Sequence, residues 1–166
     1  MAEPGAAPVR IVFLGGLGEI GRNCMAIEQG SGDDRTIMLI DCGLLFPDAD
    51  MHGIDLVLPD FSSLRENASA IVGLVATHGH EDHVGGIQFL LRDHDGIGHL
   101  RDEPLPIYGA ALTLGLARNR IEEAGLLGRC DMIAVADNDS VEVGPFTVEF
   151  IPVTHSVPHA HAIVVH

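Results

Sequence analysis

The segment AIVGLVATH, from Ala70 to His78, is a continuous apolar run that ends in the histidine-rich loop THGHEDHVGG. An apolar run of this length reads as a strand buried on both faces, so layers of structure must cover the sheet that holds it. The loop behind the strand places His78, His80, Asp82 and His83 within six residues. Imidazole and carboxylate are suitable ligands for zinc, manganese or iron. If the extended geometry continues, alternation sends the side chains at 78, 80 and 82 the same way. His83 then begins a turn into a helix and can face a neighbouring point, so one loop can serve two metal ions. Gly85 and Gly86 would let the backbone turn tightly below the site and start that helix. A lone histidine reads as structural; four ligand-type side chains at the end of a buried strand read as a metal site.

A second motif makes a competing suggestion. GLGEIG, residues 16–21, follows the apolar run RIVFLG and spells the G-x-G-x-x-G fingerprint of dinucleotide binding, with Asp41 twenty residues beyond its last glycine. That reading needs a helix starting at the glycines. Only eight residues, Arg22 to Gln29, precede the turn formers GSGDD, and a crossover helix with its connections needs roughly a dozen. A short strand, a turn and a further strand, RTIMLIDCG, fit better, which makes the opening antiparallel.

The remaining pattern alternates between strands and helices. LLFPDADMHGIDLVLPDFSSLREN reads as an ordered surface loop, VGGIQFLLRDH as a helix and LPIYGA as a short strand. ALTLGLARNRIEEAG reads as a helix with apolar residues Leu112, Leu116 and Ile121 that stops at Gly125. Strands follow to the end, with turns at DND and GP. Helices between some of the strands of a mixed sheet indicate a layered α/β (α+β) architecture.

Bulk properties exclude several classes. At 166 residues the chain has the length of one domain. Its apolar content of 46% excludes a disordered chain. No run approaches the ~18 apolar residues of a membrane span, and the N-terminus lacks the pattern of a secretory signal. Cys24, Cys42 and Cys130 are scattered and odd in number, as reduced buried residues of a cytoplasmic protein would be. Twenty-four acids stand against nine basic residues, all arginine, for a net charge of −15. Such a surface is self-repelling and does not by itself attract nucleic acid; carboxylates near bound cations are the alternative reading.

HGHEDHVGG matches the H-x-H-x-D-H motif of the metallo-β-lactamase fold. With GGLGEIGRN near the start and PVTHSVP near the end, the chain resembles the ribonuclease J family of β-CASP nucleases from about Leu14 to Thr154. The resemblance implies the N-terminal, truncated part of an αββα sandwich: a flexible segment 1–8, then a partial metallo-β-lactamase domain over 9–166, without the β-CASP and C-terminal domains. It implies that His78, His80 and His155 bind a first metal and that Asp82 and His83 bind a second. Asp41, at the end of an apolar strand beside a Cys-Gly turn, would support an imidazole from behind. The catalytic set is then Asp41, Asp82 and His155. The expected cofactor is zinc, two ions per intact site with one favoured in this chain; manganese is the substitute. The implied activity is 5′-to-3′ exonucleolytic and endonucleolytic hydrolysis of RNA in RNA maturation and decay. A cytoplasmic full-length homo-oligomer with no membrane partner follows from the same resemblance. Arg22 and Asn23, in the glycine-rich loop at the rim of the metal cleft, are candidates for contacts to RNA.

The chain departs from the family pattern in two places. His159 follows Pro158 where the family has an acid, and His159, His161 and His166 read as exposed. A metal-bridging aspartate and a further histidine ligand fall beyond His166, and Asp137 and Asp139 read as hairpin-turn residues. Ending within an apolar run, the chain reads as cut, with HAIVVH an unpaired edge exposing Ile163, Val164 and Val165. The alternatives are another hydrolase of the same fold acting on small molecules, or a non-catalytic metal-binding fragment.

Overall fold

Three antiparallel strands open the structure: β1 (Val9–Gly15), β2 (Cys24–Gln29) and β3 (Thr36–Ile40). They belong to a computed structural model that describes residues 8–166. Of the segment 1–8 expected to be flexible, all but Pro8 lies outside the described residues. The glycine-rich loop joins β1 to β2 and carries no helix, so the phosphate-cradle reading fails on geometry. Gly21 takes φ +135° there, and a Cβ on it would lie 2.6 Å from Leu45 Cδ1.

The chain then runs through the excursion 41–70, pinned by an isolated bridge between Leu45 and Val57. It is less irregular than its composition suggests, because SSLRE forms the short helix α1 (Ser62–Glu66), which buries Leu64. β4 (Ile71–Val75) pairs parallel to β3. Helices α2 (Glu81–Val84) and α3 (Ile87–Leu90) lead on to β5 (Leu105–Ala110). Helix α4 (Ala111–Glu123) connects β5 to β6 (Cys130–Val135), and β4, β5 and β6 are parallel neighbours. The strands form one six-stranded sheet in sequential order. A second, antiparallel sheet holds β7 (Ser140–Val143), β8 (Phe146–Val153) and β9 (Ala160–Val165).

Strand alternation builds two cores. Ile37 and Leu39 of β3 face Leu64, Ile87, Leu90, Leu114 and Ile121 from the helices. Met38 and Ile40 face the other way, onto Val143, Val148 and Phe150 of the second sheet. Each such side chain contributes about 1.5–3 kcal/mol by full burial. The layer order is therefore helices, sheet, sheet, three of the four layers of the expected sandwich.

Three sequence expectations need correction. The single helix expected over VGGIQFLLRDH is two short helices, and the first starts earlier, at Glu81. On α4, Leu112 and Leu116 are exposed, while Thr113, Leu114, Ala117 and Ile121 are buried. In HAIVVH, Ile163 and Val165 pack against the inter-sheet core and Val164 is exposed. Among the described residues no helix is long and apolar enough to cross a membrane.

Candidate metal centre

The carboxyl end of β4 and the segment after β8 bring three imidazoles together. His78, His80 and His155 each offer a nitrogen, and these nitrogens all lie within 4.8 Å of one another. His78 Nε2 is 3.2 Å from His80 Nδ1, close to the about 3.3 Å that separates two nitrogens bound 2.0–2.1 Å from one tetrahedral ion. The His155 ring centroid stands 4.3 Å from that of His78 and 5.0 Å from that of His80. Thr77 Oγ1 lies 2.9 Å from His78 Nδ1 and leaves Nε2 facing the cluster. Burial, reinforced by the charge of His83, lowers the His78 pKa to about 4. His78 is thus neutral at ordinary pH, with a lone pair free to bind a cation. Three converging imidazole nitrogens suit a transition-metal ion, so the donor set fits a metal site.

Asp82 and His83 form a second group beside the first. β4 ends at Val75, and His80, though extended, is already the N-cap of α2. The alternation expected through residue 82 therefore stops, and Asp82 turns toward His83, with Asp82 Oδ2 3.5 Å from His83 Nε2. Asp41, at φ +59° just after β3, accepts three hydrogen bonds. They come from Thr77 N–H and Thr77 Oγ1, both at 2.8 Å, and from His83 Nδ1 at 2.7 Å. An ionised carboxylate only accepts, so His83 carries its proton on Nδ1 and turns Nε2 toward Asp82. Burial disfavours the His83 cation, but the hydrogen bond and charge of Asp41, with the charge of Asp82, outweigh it and raise the pKa above 6.5.

Backbone packing holds the two groups in register. Cys42 N–H donates to His83 O at 2.8 Å and Gly86 N–H to Cys42 O at 2.9 Å. A Cβ on Gly43 would lie 1.7 Å from Asp82 O, and one on Gly86 would lie 2.5 Å from Gly43 O. Gly86 has ordinary helical dihedrals, so it is needed for this close approach and not for a tight turn. Cys24, Cys42 and Cys130 are all free and buried. Burial, then the adjacent Cys24, pushes the Cys42 thiol well above its ordinary pKa, which makes it an inert packing group.

Asn23, a candidate for RNA contact on sequence grounds, bonds inside the site instead. Its Nδ2 donates to Asp82 O at 3.0 Å and to Asp82 Oδ2 at 3.2 Å, and lies 3.2 Å from His83 Nε2. Arg22 pairs with Glu19 in the glycine-rich loop. Thr77, which links Asp41 to His78, escaped the sequence reading; its position directly before the H-x-H pair was the available signal. His161 also departs from expectation: its side chain is fully buried and its Nε2 is 3.0 Å from Asp137 Oδ1. Asp137 and Asp139 both lie in the turn after β6, as expected, and Asp139 accepts from Ala136 N–H at 2.7 Å. His159 and His166 are exposed, as read.

Comparison with known proteins agrees with this geometry. The profile of the family described as beta-lactamase superfamily domain matches residues 36–164. Ribonuclease J from Synechocystis sp. is 44% identical over 160 residues, 95% of this chain and 23% of that protein. Ribonuclease J from Thermus thermophilus is 41% identical over 159 residues, 95% of this chain and 26% of that protein. The chain thus spans about a quarter of the length of these relatives. Among solved structures, the metallo-β-lactamase fold protein YhfI from Bacillus subtilis superposes with a TM-score of 0.58 at 21% identity. That superposition covers 96% of this chain and 58% of YhfI. The chain belongs to the β-lactamase superfamily, has the metallo-β-lactamase fold with a metal-ion site, and within that superfamily resembles ribonuclease J.

Proposed function

We propose that this chain supplies the metal-binding part of a ribonuclease active site, in a protein that hydrolyses RNA phosphodiesters. The observation that carries the reading is the convergence of the His78, His80 and His155 nitrogens beside the Asp41–His83 pair. The similarity to ribonuclease J over 95% of the chain points that chemistry toward RNA. In this reading His78, His80 and His155 hold a zinc ion, for which manganese can substitute, while Asp82 and His83 offer ligands for a second. Bound there, such ions lower the pKa of water and polarise a phosphoryl oxygen.

The chain's own residues have distinct jobs. Neutral His78 presents Nε2 without first losing a proton. Asp41 fixes the tautomer and orientation of His83, and Asn23 holds the Asp82 carboxylate by its Oδ2 and its backbone. Thr77 ties Asp41 to His78, so the two ligand groups share one anchor.

The test is cleavage of a 5′-monophosphorylated RNA by the protein that carries this domain, with zinc or manganese present. His80→Ala and Asp82→Ala each abolish cleavage in this reading. Cleavage that survives His80→Ala contradicts it.

A further inference from the structure

Asp137 and His159 stand at a cavity of about 500 Å³ whose walls include Ala110, Ala111, Val135 and Ala136. It opens at the carboxyl ends of β5 and β6, the side from which open α/β sheets take ligands. Its volume suits a small organic group. β4, the next strand in the sheet, carries His78 from its own carboxyl end. The cavity therefore neighbours the metal centre without being part of it.

Asp137 is held ready by a buried partner. The His161 side chain has no exposed surface, and its Nε2–H donates to Asp137 Oδ1 at 3.0 Å. Its backbone N–H donates to Thr77 O at 3.0 Å, tying this pair to the base of the metal loop. His161 Nδ1 is buried with no hydrogen-bond partner among the described residues, and an orphaned buried polar atom destabilises a fold and calls for an explanation. An apolar side chain would pack against Phe150, which the His161 ring meets edge-on at 5.6 Å. The explanation is that the imidazole orients Asp137. That carboxylate is about half exposed, and its Oδ2 makes no hydrogen bond among the described residues.

A carboxylate is an acceptor only, so the group it recognises must present N–H donors. In single-stranded RNA the bases are read on their Watson–Crick edges. Guanine offers two adjacent donors on that edge, N1–H and the N2 amino group. Adenine, cytosine and uracil each set an acceptor beside a donor, and that acceptor would face the carboxylate. His159, exposed at the cavity rim, offers a ring for stacking on the base. We propose that this cavity is a nucleobase subsite selective for guanine, in which Asp137 reads the base and His161 positions Asp137. The inference rests on the ribonuclease reading for its substrate class.

Two measurements test it separately from that reading. Guanosine and adenosine are titrated into the metal-loaded protein and followed by amide chemical shifts. Guanosine is expected to shift Ala110, Val135 and Asp137 and to bind roughly tenfold tighter than adenosine. Asp137→Asn removes the preference and leaves zinc affinity unchanged. His161→Leu weakens guanosine binding while its melting temperature holds or rises, a pair of signs that a merely structural histidine would not give. Equal binding of both nucleosides, or a guanosine preference that survives Asp137→Asn, overturns the proposal. So does a His161→Leu protein that melts lower but keeps the preference. In the second measurement, RNA cleavage with no dependence on guanine or on Asp137 overturns the subsite and leaves the ribonuclease reading standing. Guanosine binding at Asp137 without any RNA cleavage supports the subsite and removes that reading.

Discussion

His83 donates its Nδ1 proton to Asp41 Oδ2 across 2.7 Å, and the same ring holds Nε2 3.5 Å from Asp82 Oδ2. Partners of this kind behind a ligand typically govern 10–100-fold in metal affinity. Asp41→Asn is therefore expected to lower the His83 pKa and to weaken metal binding at the Asp82–His83 pair by about that factor. Competition against a chelator of known affinity measures it; a change of less than about twofold contradicts the assigned role.

The pKa values of the two histidines are displaced in opposite directions in the metal-free protein. His78 is neutral above about pH 4, whereas His83 keeps its proton above 6.5. Histidine binds a metal only when neutral, so metal affinity at the Asp82–His83 pair rises as pH passes the raised His83 pKa. The stability linkage has matching signs. The His83 contribution is complete below 6.5 and is lost as pH rises through its folded value. The His78 contribution is present above 6.5 and is lost as pH falls toward 4. Imidazole nitrogen shifts by NMR read both values, and a His78 that titrates above 6 contradicts the first.

Gly43→Ala drives a methyl group into the backbone carrying Asp82, where the Cβ would meet Asp82 O at 1.7 Å. The collision is with main chain, so the loss should reach or exceed the roughly 1–3 kcal/mol of ordinary overpacking, with metal binding lost alongside. Gly115→Ala is the contrast: Gly115 sits within α4, and among the described residues nothing beyond its own stretch of helix lies within 4 Å of its Cβ position. It should raise stability by about 0.5–1 kcal/mol. Thermal unfolding of the two variants separates local crowding from a general intolerance of substitution.

The parts of this structure that are legible in the sequence are those written in consecutive residues. The run AIVGLVATH announces β4, and the ligand-rich loop behind it announces the site. The face of α4 is not legible, because Leu112 and Leu116 form an apolar stripe as plausible as Leu114, Ala117 and Ile121. Which stripe is buried depends on the sheet beneath. The glycines after His83 suggest the start of a helix, but Gly86 is needed for the approach of Cys42 and Gly43, more than forty residues earlier. His161 reads as exposed because its partner, Asp137, arrives from another strand end. His155 lies far along the chain from the H-x-H pair, and only folding brings the three nitrogens together.

The central claim is that His78, His80 and His155 ligate a single ion. Zinc K-edge X-ray absorption at one equivalent of zinc tests it most directly. The account predicts a shell with three imidazole nitrogens at about 2.0–2.1 Å, with one imidazole lost and weaker binding in His155→Ala. An unchanged spectrum and unchanged zinc affinity in His155→Ala would contradict it.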